Sequence, residues 1–165
     1  FIGINIMLSA TAEYALRIMI VLAEGPEEPI TSERIAERTK VPPDYSVKVL
    51  QMLARAGLVR AQRGRSGGFH IDCDTNITSL LDVVNAIDPI RHIKCPMGSD
   101  ERGGALCPLH SCLDEIVTLL ETNLRKMTLK SVIESTEGSA LCKPAEKEEQ
   151  PTPEIVTSKV APHHA

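Results

Sequence analysis

The most constraining feature of this sequence is a change of hydrophobic period near residue 58. Before that point, apolar residues recur every three or four positions, as they do in amphipathic helices. Helices are predicted over 8–25, 30–39 and 41–57. After it, LVRAQ and FHI alternate as strands do, and the RGRSGG turn between them permits a tight reversal. Helices followed by a two-stranded hairpin are the order of a winged helix-turn-helix.

The helical period returns in the second half of the chain. A short helix is predicted over 78–88, closed by Pro89, and one long helix over 109–136. Apolar residues of the long helix form a continuous seam: Leu109, Leu113, Ile116, Leu120, Leu124 and Met127. Such a seam favours a partner helix, so the residues from Leu113 onward are predicted to form the interface of a homodimer.

Charge is distributed unevenly along the chain. The net charge is −4, yet residues 31–70 contain eight basic and three acidic residues, a net charge of +5, which leaves −9 for the rest. A cationic block on helices and a hairpin is typical of a surface that binds a phosphate backbone. Only 2 % of the residues are aromatic and none is Trp, so platforms for stacking single-stranded bases are lacking. Double-stranded DNA is therefore the favoured partner.

The third helix and the hairpin turn supply most of the predicted DNA contacts. The predicted set is Arg34, Pro43, Asp44, Tyr45, Ser46, Lys48, Arg60, Arg63, Arg65, Gly67 and Gly68. The first turn of a helix in the major groove reaches base edges, so Ser46 and Lys48 are predicted to set base preference. The arginines of the turn are predicted to bind DNA of any sequence through phosphates. The Tyr45 ring is expected to lie mostly in the core, with its hydroxyl available.

Several motifs together resemble one family of bacterial winged-helix regulators. The motifs LSATAEYALR, IAERTKVPPDY, KVLQMLARAGLV, RGRSGGF and NITSLLDVVNAID are similar to the Rrf-two family over about residues 7–136. The resemblance implies a homodimeric transcriptional regulator without enzymatic activity, and a two-fold dimer is expected to read an inverted repeat. The chain carries Ser46 and Val47 where the family usually has Leu and Ser. Its base preference is therefore expected to differ.

Three of the five cysteines crowd into KCPMGSDERGGALCPLHSC, residues 94–112. They are Cys95, Cys107 and Cys112. The resemblance implies an iron–sulfur cluster, of the two-iron two-sulfur type, because members that bind one place three cysteines in this loop. Cys95 and Cys107 match the first and third family positions, whereas Glu101 stands at the middle position.

Two ligand sets remain open for this loop. One consists of the three thiolates with Glu13 of the partner subunit, and the other of Cys95, Cys107 and His110 with a further group. A zinc site that combines His110 with Cys112 is disfavoured. If Pro108 begins the long helix, these two residues point about 200° apart around its axis.

Three alternatives to a cluster-switched regulator follow from the same residues. The chain could be a cluster-free regulator with reduced cysteines, or a protein-interaction module of the same fold. A thiol redox protein is less favoured, because such a protein would need a C-x-x-C pair or a thiol of low pKa.

The expected fold is mainly α with one small β-hairpin, divided into five segments. They are an N-terminal extension (1–7), a winged helix-turn-helix DNA-binding domain (8–90), a cysteine-containing sensor loop (91–108), a dimerisation helix (109–136) and a disordered tail (137–165). Pro, Glu, Lys and Thr dominate the tail. No convincing signal peptide or membrane span is found, and the odd cysteine count favours a cytoplasmic location.

Overall fold

The computed structural model describes residues 8–25, 28–64, 67–92 and 107–135. Within these ranges the chain forms six helices and one two-stranded antiparallel sheet. The elements are α1 (Ala10–Glu24), α2 (Ser32–Thr39), α3 (Pro43–Arg55), β1 (Val59–Gln62), β2 (Gly68–Ile71), α4 (Leu80–Ile87), α5 (Pro108–Lys126) and α6 (Leu129–Glu134). The predicted order of three helices and a hairpin is confirmed. The N-terminal extension, the tail, Arg65 and Cys95 lie outside the described residues.

Local capping explains where the first three helices begin. The Ser9 hydroxyl accepts a hydrogen bond from the Ala12 amide at 3.2 Å and caps α1. Thr31 caps α2 in the same way, and Pro43 occupies the first turn of α3, where its missing N–H is no loss. Lys40 ends α2 in the left-handed conformation, with φ of 57°, which turns the chain into α3. These signals lie within a few residues of each helix end.

The hairpin is fastened to the start of α2. β1 and β2 pair from Val59 opposite Ile71 to Gln62 opposite Gly68. Phe69 also exchanges two backbone hydrogen bonds with Ile30, each 2.9 Å long. A Cβ at Gly68 would lie 2.6 Å from the Ile30 carbonyl oxygen, so only glycine permits this approach. The hairpin therefore has a fixed position beside the helices.

The core is aliphatic, as the composition predicted. It draws side chains from α1, α2, α3, β1, α4 and α6, and α1 contributes the most. Its fully buried large residues are Ile18, Met19, Ile35, Leu50, Leu53, Leu81, Leu129, Val21, Val49, Val59, Val83 and Val84. Burying about a dozen such side chains is the main favourable contribution to folding. None of the helices in the described part of the chain is long and apolar enough to cross a membrane.

The single long helix predicted over 109–136 is wrong, because the described part consists of two helices. α5 ends at Lys126, and Thr128 begins α6 with a capping box that includes Ser131. The Met127 carbonyl accepts a hydrogen bond from the Leu80 amide at 2.8 Å. Leu129 is fully buried in the winged-helix core. The chain after α5 therefore returns to the first domain rather than continuing the long helix.

Candidate nucleic-acid interface and cysteine site

One face of α3 is exposed along the whole helix. The exposed residues follow the spacing i, i+3, i+4, i+7, i+11: Asp44, Val47, Lys48, Gln51 and Arg55. We call these five residues the α3 stripe. The opposite face is anchored in the core by Val49, Leu50 and Leu53, each fully buried. Of the stripe, the sequence analysis identified Asp44 and Lys48, although helical spacing from Asp44 also points to the other three.

Ser46 lies on the core side of α3, so its predicted role in reading bases is wrong. The residue is fully buried, and its hydroxyl oxygen has no hydrogen-bond partner in the structure. It shares helical spacing with Val49, Leu50 and Leu53, which fixes its direction. The next residue, Val47, is 37 % exposed and takes the outward position.

Tyr45 lies beside the stripe at the edge of the core. The residue as a whole is 39 % exposed, so the greater part of its surface is covered. It packs edge-on against Tyr14 of α1, with ring centroids 5.7 Å apart. The Lys48 ammonium lies 5.4 Å from the centre of the Tyr45 ring, within the range of a cation–π interaction. Tyr45 therefore connects α1 to the stripe and orients Lys48.

The remaining predicted DNA contacts occupy the hairpin and α2. Arg63 is exposed at the hairpin turn, and Arg34 is exposed on α2. Arg60 is exposed but pairs with Asp72 through a 2.8 Å contact, so part of its charge is compensated within the chain. Gly67 is explained by the turn itself, because a Cβ there would lie 2.7 Å from the Gln62 carbonyl oxygen. Pro43 is exposed at the start of α3, next to the stripe.

Cys107 and His110 are brought together at the start of α5. Cys107 is the N-cap residue of α5 and Pro108 its first residue, which meets the condition that Pro108 begins the helix. The Cys107 Sγ and His110 Nδ1 atoms are 2.9 Å apart. Cys112 is exposed two positions further along the helix, on a different side from His110. Two donors suited to a metal centre, a thiol and an imidazole, therefore face each other beside the sensor loop.

The other proposed ligands are not gathered at this point within the described residues. Glu13 forms an ion pair with Arg17 on its own helix. Among the described residues, no three His, Cys, Asp or Glu side chains are placed to hold a metal ion together. Cys73 is half-buried next to β2, and burial raises the pKa of its thiol. Cys73 is therefore kept in the unreactive thiol form.

His92 connects the end of the winged-helix domain to α5. Its Nδ1 atom lies 2.9 Å from Asp114 Oδ1, and its Nε2 atom lies 3.6 Å from Glu121 Oε2. The hydrogen bond and charge of Asp114, followed by Glu121, raise the pKa of His92 above its ordinary value. The contact with Asp114 therefore joins the beginning of the sensor loop segment to α5.

This contact is expected to depend on pH. Because the folded-state pKa is raised, the stabilisation is fully present below about pH 6.5 and is lost as the pH rises through the folded-state value. Asp114→Asn should lower the His92 pKa towards its ordinary value, as measured by an NMR titration of the imidazole. Glu121→Gln should have a smaller effect because its carboxylate is further away. An unchanged pKa in Asp114→Asn would contradict the assignment.

Comparison with known proteins identifies the family. The family model for Rrf2, described as an iron-dependent transcriptional regulator, matches residues 8–135. The chain belongs to the Rrf2 family. A relative named as the HTH-type transcriptional regulator YffB of Lactococcus lactis is 30 % identical over 138 residues, covering 79 % of this chain and 88 % of the relative. The resemblance to the Rrf-two family is thereby confirmed.

Solved structures of Rrf2-type regulators share the fold. IscR of T. potens is 19 % identical, with a TM-score of 0.64 over 86 % of this chain and 96 % of that one. CymR of B. subtilis, described as the global cysteine regulator, is 21 % identical, with a TM-score of 0.62 over 79 % and 98 %. The predicted fold class is confirmed. The Rrf2 family and the relative are DNA-binding transcriptional regulators and not enzymes, and this protein is a regulator of the same kind.

Proposed function

We propose that this Rrf2-family regulator acts in the cytoplasm as a homodimer that recognises an inverted repeat in double-stranded DNA. The observation that carries the proposal is the α3 stripe, a row of exposed side chains on a helix whose other face is fixed in the core. A single helix face of this kind fits the major groove, where base edges differ in their hydrogen-bonding groups. Gln51 and Lys48 offer the groups that pair with adenine and guanine.

The hairpin supports the same orientation on DNA. The exposed Arg63 lies at the turn of a hairpin that backbone hydrogen bonds fasten beside α2. A cation at the tip of a hairpin beside a groove-binding helix is suited to a neighbouring phosphate or to the minor groove. Arg34 on α2 and Arg55 at the C-terminal end of the stripe add further exposed positive charge. Among the described basic residues of the 31–70 block, Arg34, Lys48, Arg55 and Arg63 are exposed on α3 or on the elements next to it.

The exposed apolar face of α5 supports a homodimer. Leu109 is 64 % exposed, Ile116 44 % and Leu119 62 %, and Leu113 lies between them on the same side. Leu120 and Leu124, which were predicted to belong to the seam, are half-buried. We propose that the interface is therefore rotated towards Leu119, which the sequence analysis did not include. A contiguous apolar face on a long helix is typical of an interface. Two-fold symmetry then implies two α3 helices and an inverted-repeat site.

We further propose an iron–sulfur cluster as the signal, held by Cys107 and His110 together with Cys95. The family description as iron-dependent supports an iron cofactor. The 2.9 Å Cys107–His110 contact favours this ligand set over the one that uses Cys112. A cluster with an imidazole ligand would supply a redox-sensitive and labile link. The chain's own contribution is the fixed pair of donors at the N-terminus of α5. Glu13 of the partner subunit is the candidate for the fourth ligand, and a regulator without a cluster is the alternative.

DNA binding is tested by mobility shift on genomic fragments over a range of salt concentrations. We expect a sequence-selective complex whose affinity falls steeply with salt. Arg63→Ala should weaken binding to all sequences and reduce the salt slope by about one, because it removes one phosphate contact. Gln51→Ala, the matched control on the stripe, should change sequence preference instead. The absence of any complex at low salt would contradict the proposed function.

The cluster is tested by anaerobic reconstitution with iron and sulfide. The wild type should become coloured and contain about two iron and two sulfide per subunit, as the two-iron cluster type requires. Cys107→Ala and His110→Ala should greatly reduce the iron content, whereas Cys112→Ala, the matched control, should retain it. An iron-free wild type would leave the cluster-free regulator as the correct interpretation. Loss of iron in Cys112→Ala alone would favour the three-thiolate set.

A further inference from the structure

Val47 is the apolar member of a stripe that is otherwise polar or charged. It is 37 % exposed, and its neighbours along the stripe are Asp44, Lys48 and Gln51. Valine has a lower helix propensity than the straight-chain residues common on helix surfaces, because it is β-branched. The core-facing position beside it is taken by Ser46, so part of the Val47 side chain presents an apolar surface on the stripe.

We propose that Val47 reads the C5-methyl group of a thymine in the major groove. The inference rests on the proposed function, since it requires α3 to lie in that groove. The thymine methyl is the apolar group that the unmodified bases present there, and an aliphatic side chain is the complementary contact. Valine is stiff at χ1, so its two methyl groups are held in place before DNA binds.

The surroundings of Val47 leave its side chain free to make this contact. It lies one turn after Asp44, in the part of the helix that enters the groove first. The adjacent Lys48 is drawn towards the Tyr45 ring, with its ammonium 5.4 Å from the ring centre. The ammonium is thus held on the Tyr45 side of Lys48. Ser46, on the other side, points into the core.

The first experiment replaces each thymine of an operator, obtained by in vitro selection with the full-length protein, by deoxyuridine. Uracil differs from thymine only by the missing methyl. At one thymine of each half-site the wild type should bind about 3- to 5-fold more weakly, which corresponds to one lost methyl contact. Because two distant contacts are independent, uracil in both half-sites should weaken binding about 10- to 25-fold.

Two variants identify the residue that detects the methyl. Val47→Ala should bind the thymine and uracil operators equally, because alanine is too short to reach the group. Gln51→Ala, on the same stripe, should keep the full difference in affinity between the thymine and uracil operators. In the wild type, a 5-methylcytosine·guanine pair at the mapped position should bind more tightly than an unmodified cytosine·guanine pair. This result separates recognition of the methyl from recognition of the base pair.

The proposal and the proposed function fail in distinguishable ways. A selective complex whose affinity is insensitive to uracil at every thymine would overturn the role of Val47. The role of Val47 would also be overturned if Val47→Ala kept the full difference in affinity between the thymine and uracil operators. If the protein binds no duplex at low salt, the proposed function itself fails and the inference fails with it. Circular dichroism spectra should be the same for all variants, because both substituted positions are exposed.

Discussion

Ile116→Glu is expected to convert the protein into monomers at micromolar concentration. Ile116 lies at the centre of the exposed apolar face of α5, between Leu113 and Leu119. Two-fold symmetry would place two carboxylates in the interface, each of which loses hydration without gaining a partner. The dissociation constant should rise by at least about 100-fold. Analytical ultracentrifugation measures this change directly.

Operator binding should fall together with dimerisation in this variant. Each monomer would keep its own α3 stripe, but the two half-sites would no longer be bound by one molecule. Thr122→Glu is the matched control, because Thr122 is exposed on a different side of α5 from Ile116. It should remain a dimer and bind DNA normally. A dimer that persists in Ile116→Glu would show that the interface lies elsewhere.

Leu129→Ala is expected to lower the free energy of unfolding by about 2–5 kcal/mol, the range for truncating a fully buried leucine. Leu129 lies in the core beside side chains of α1 and α4. Its amide also donates to the Thr78 carbonyl at 3.0 Å, so the cavity would form where α6 is fastened to the winged-helix domain. Urea denaturation followed by circular dichroism gives the free energy.

The matched control for this substitution is Leu119→Ala. Leu119 is 62 % exposed, and the same change there removes no core contact. It should alter the stability of the isolated subunit by less than about 0.5 kcal/mol, when measured in the monomeric Ile116→Glu background. A loss below 1 kcal/mol in Leu129→Ala would contradict the conclusion that α6 belongs to the core.

The sequence was sufficient for features that depend on neighbouring residues. Ser9 and Thr31 begin helices because their hydroxyls reach amides three residues ahead, a contact that needs no tertiary structure. The switch from a helical period to an alternating one predicted the hairpin for the same reason. The motifs spread over these elements also identified the family correctly. The predicted start of the long helix at residue 109 lies one residue from the observed start of α5 at Pro108.

Only the tertiary structure decided which residues of these elements face outward. Along α3, the set Tyr45, Val49 and Met52 and the set Ser46, Val49 and Leu53 both have helical spacing. The mean directions of the two sets differ by roughly 65° of rotation, and contact with the core selects the second, so Ser46 is buried and Val47 is exposed.

The break between α5 and α6 likewise depends on tertiary contacts. The apolar seam continues through Met127, so the sequence alone favoured one uninterrupted helix. The folded chain instead gains a buried Leu129 and hydrogen bonds from Leu80 to Met127 and from Leu129 to Thr78. Those partners lie about fifty positions earlier in the chain and come within reach only when the winged-helix domain has folded. Local periodicity contains no information about such distant contacts, and for that reason the end of α5 could not be predicted from it.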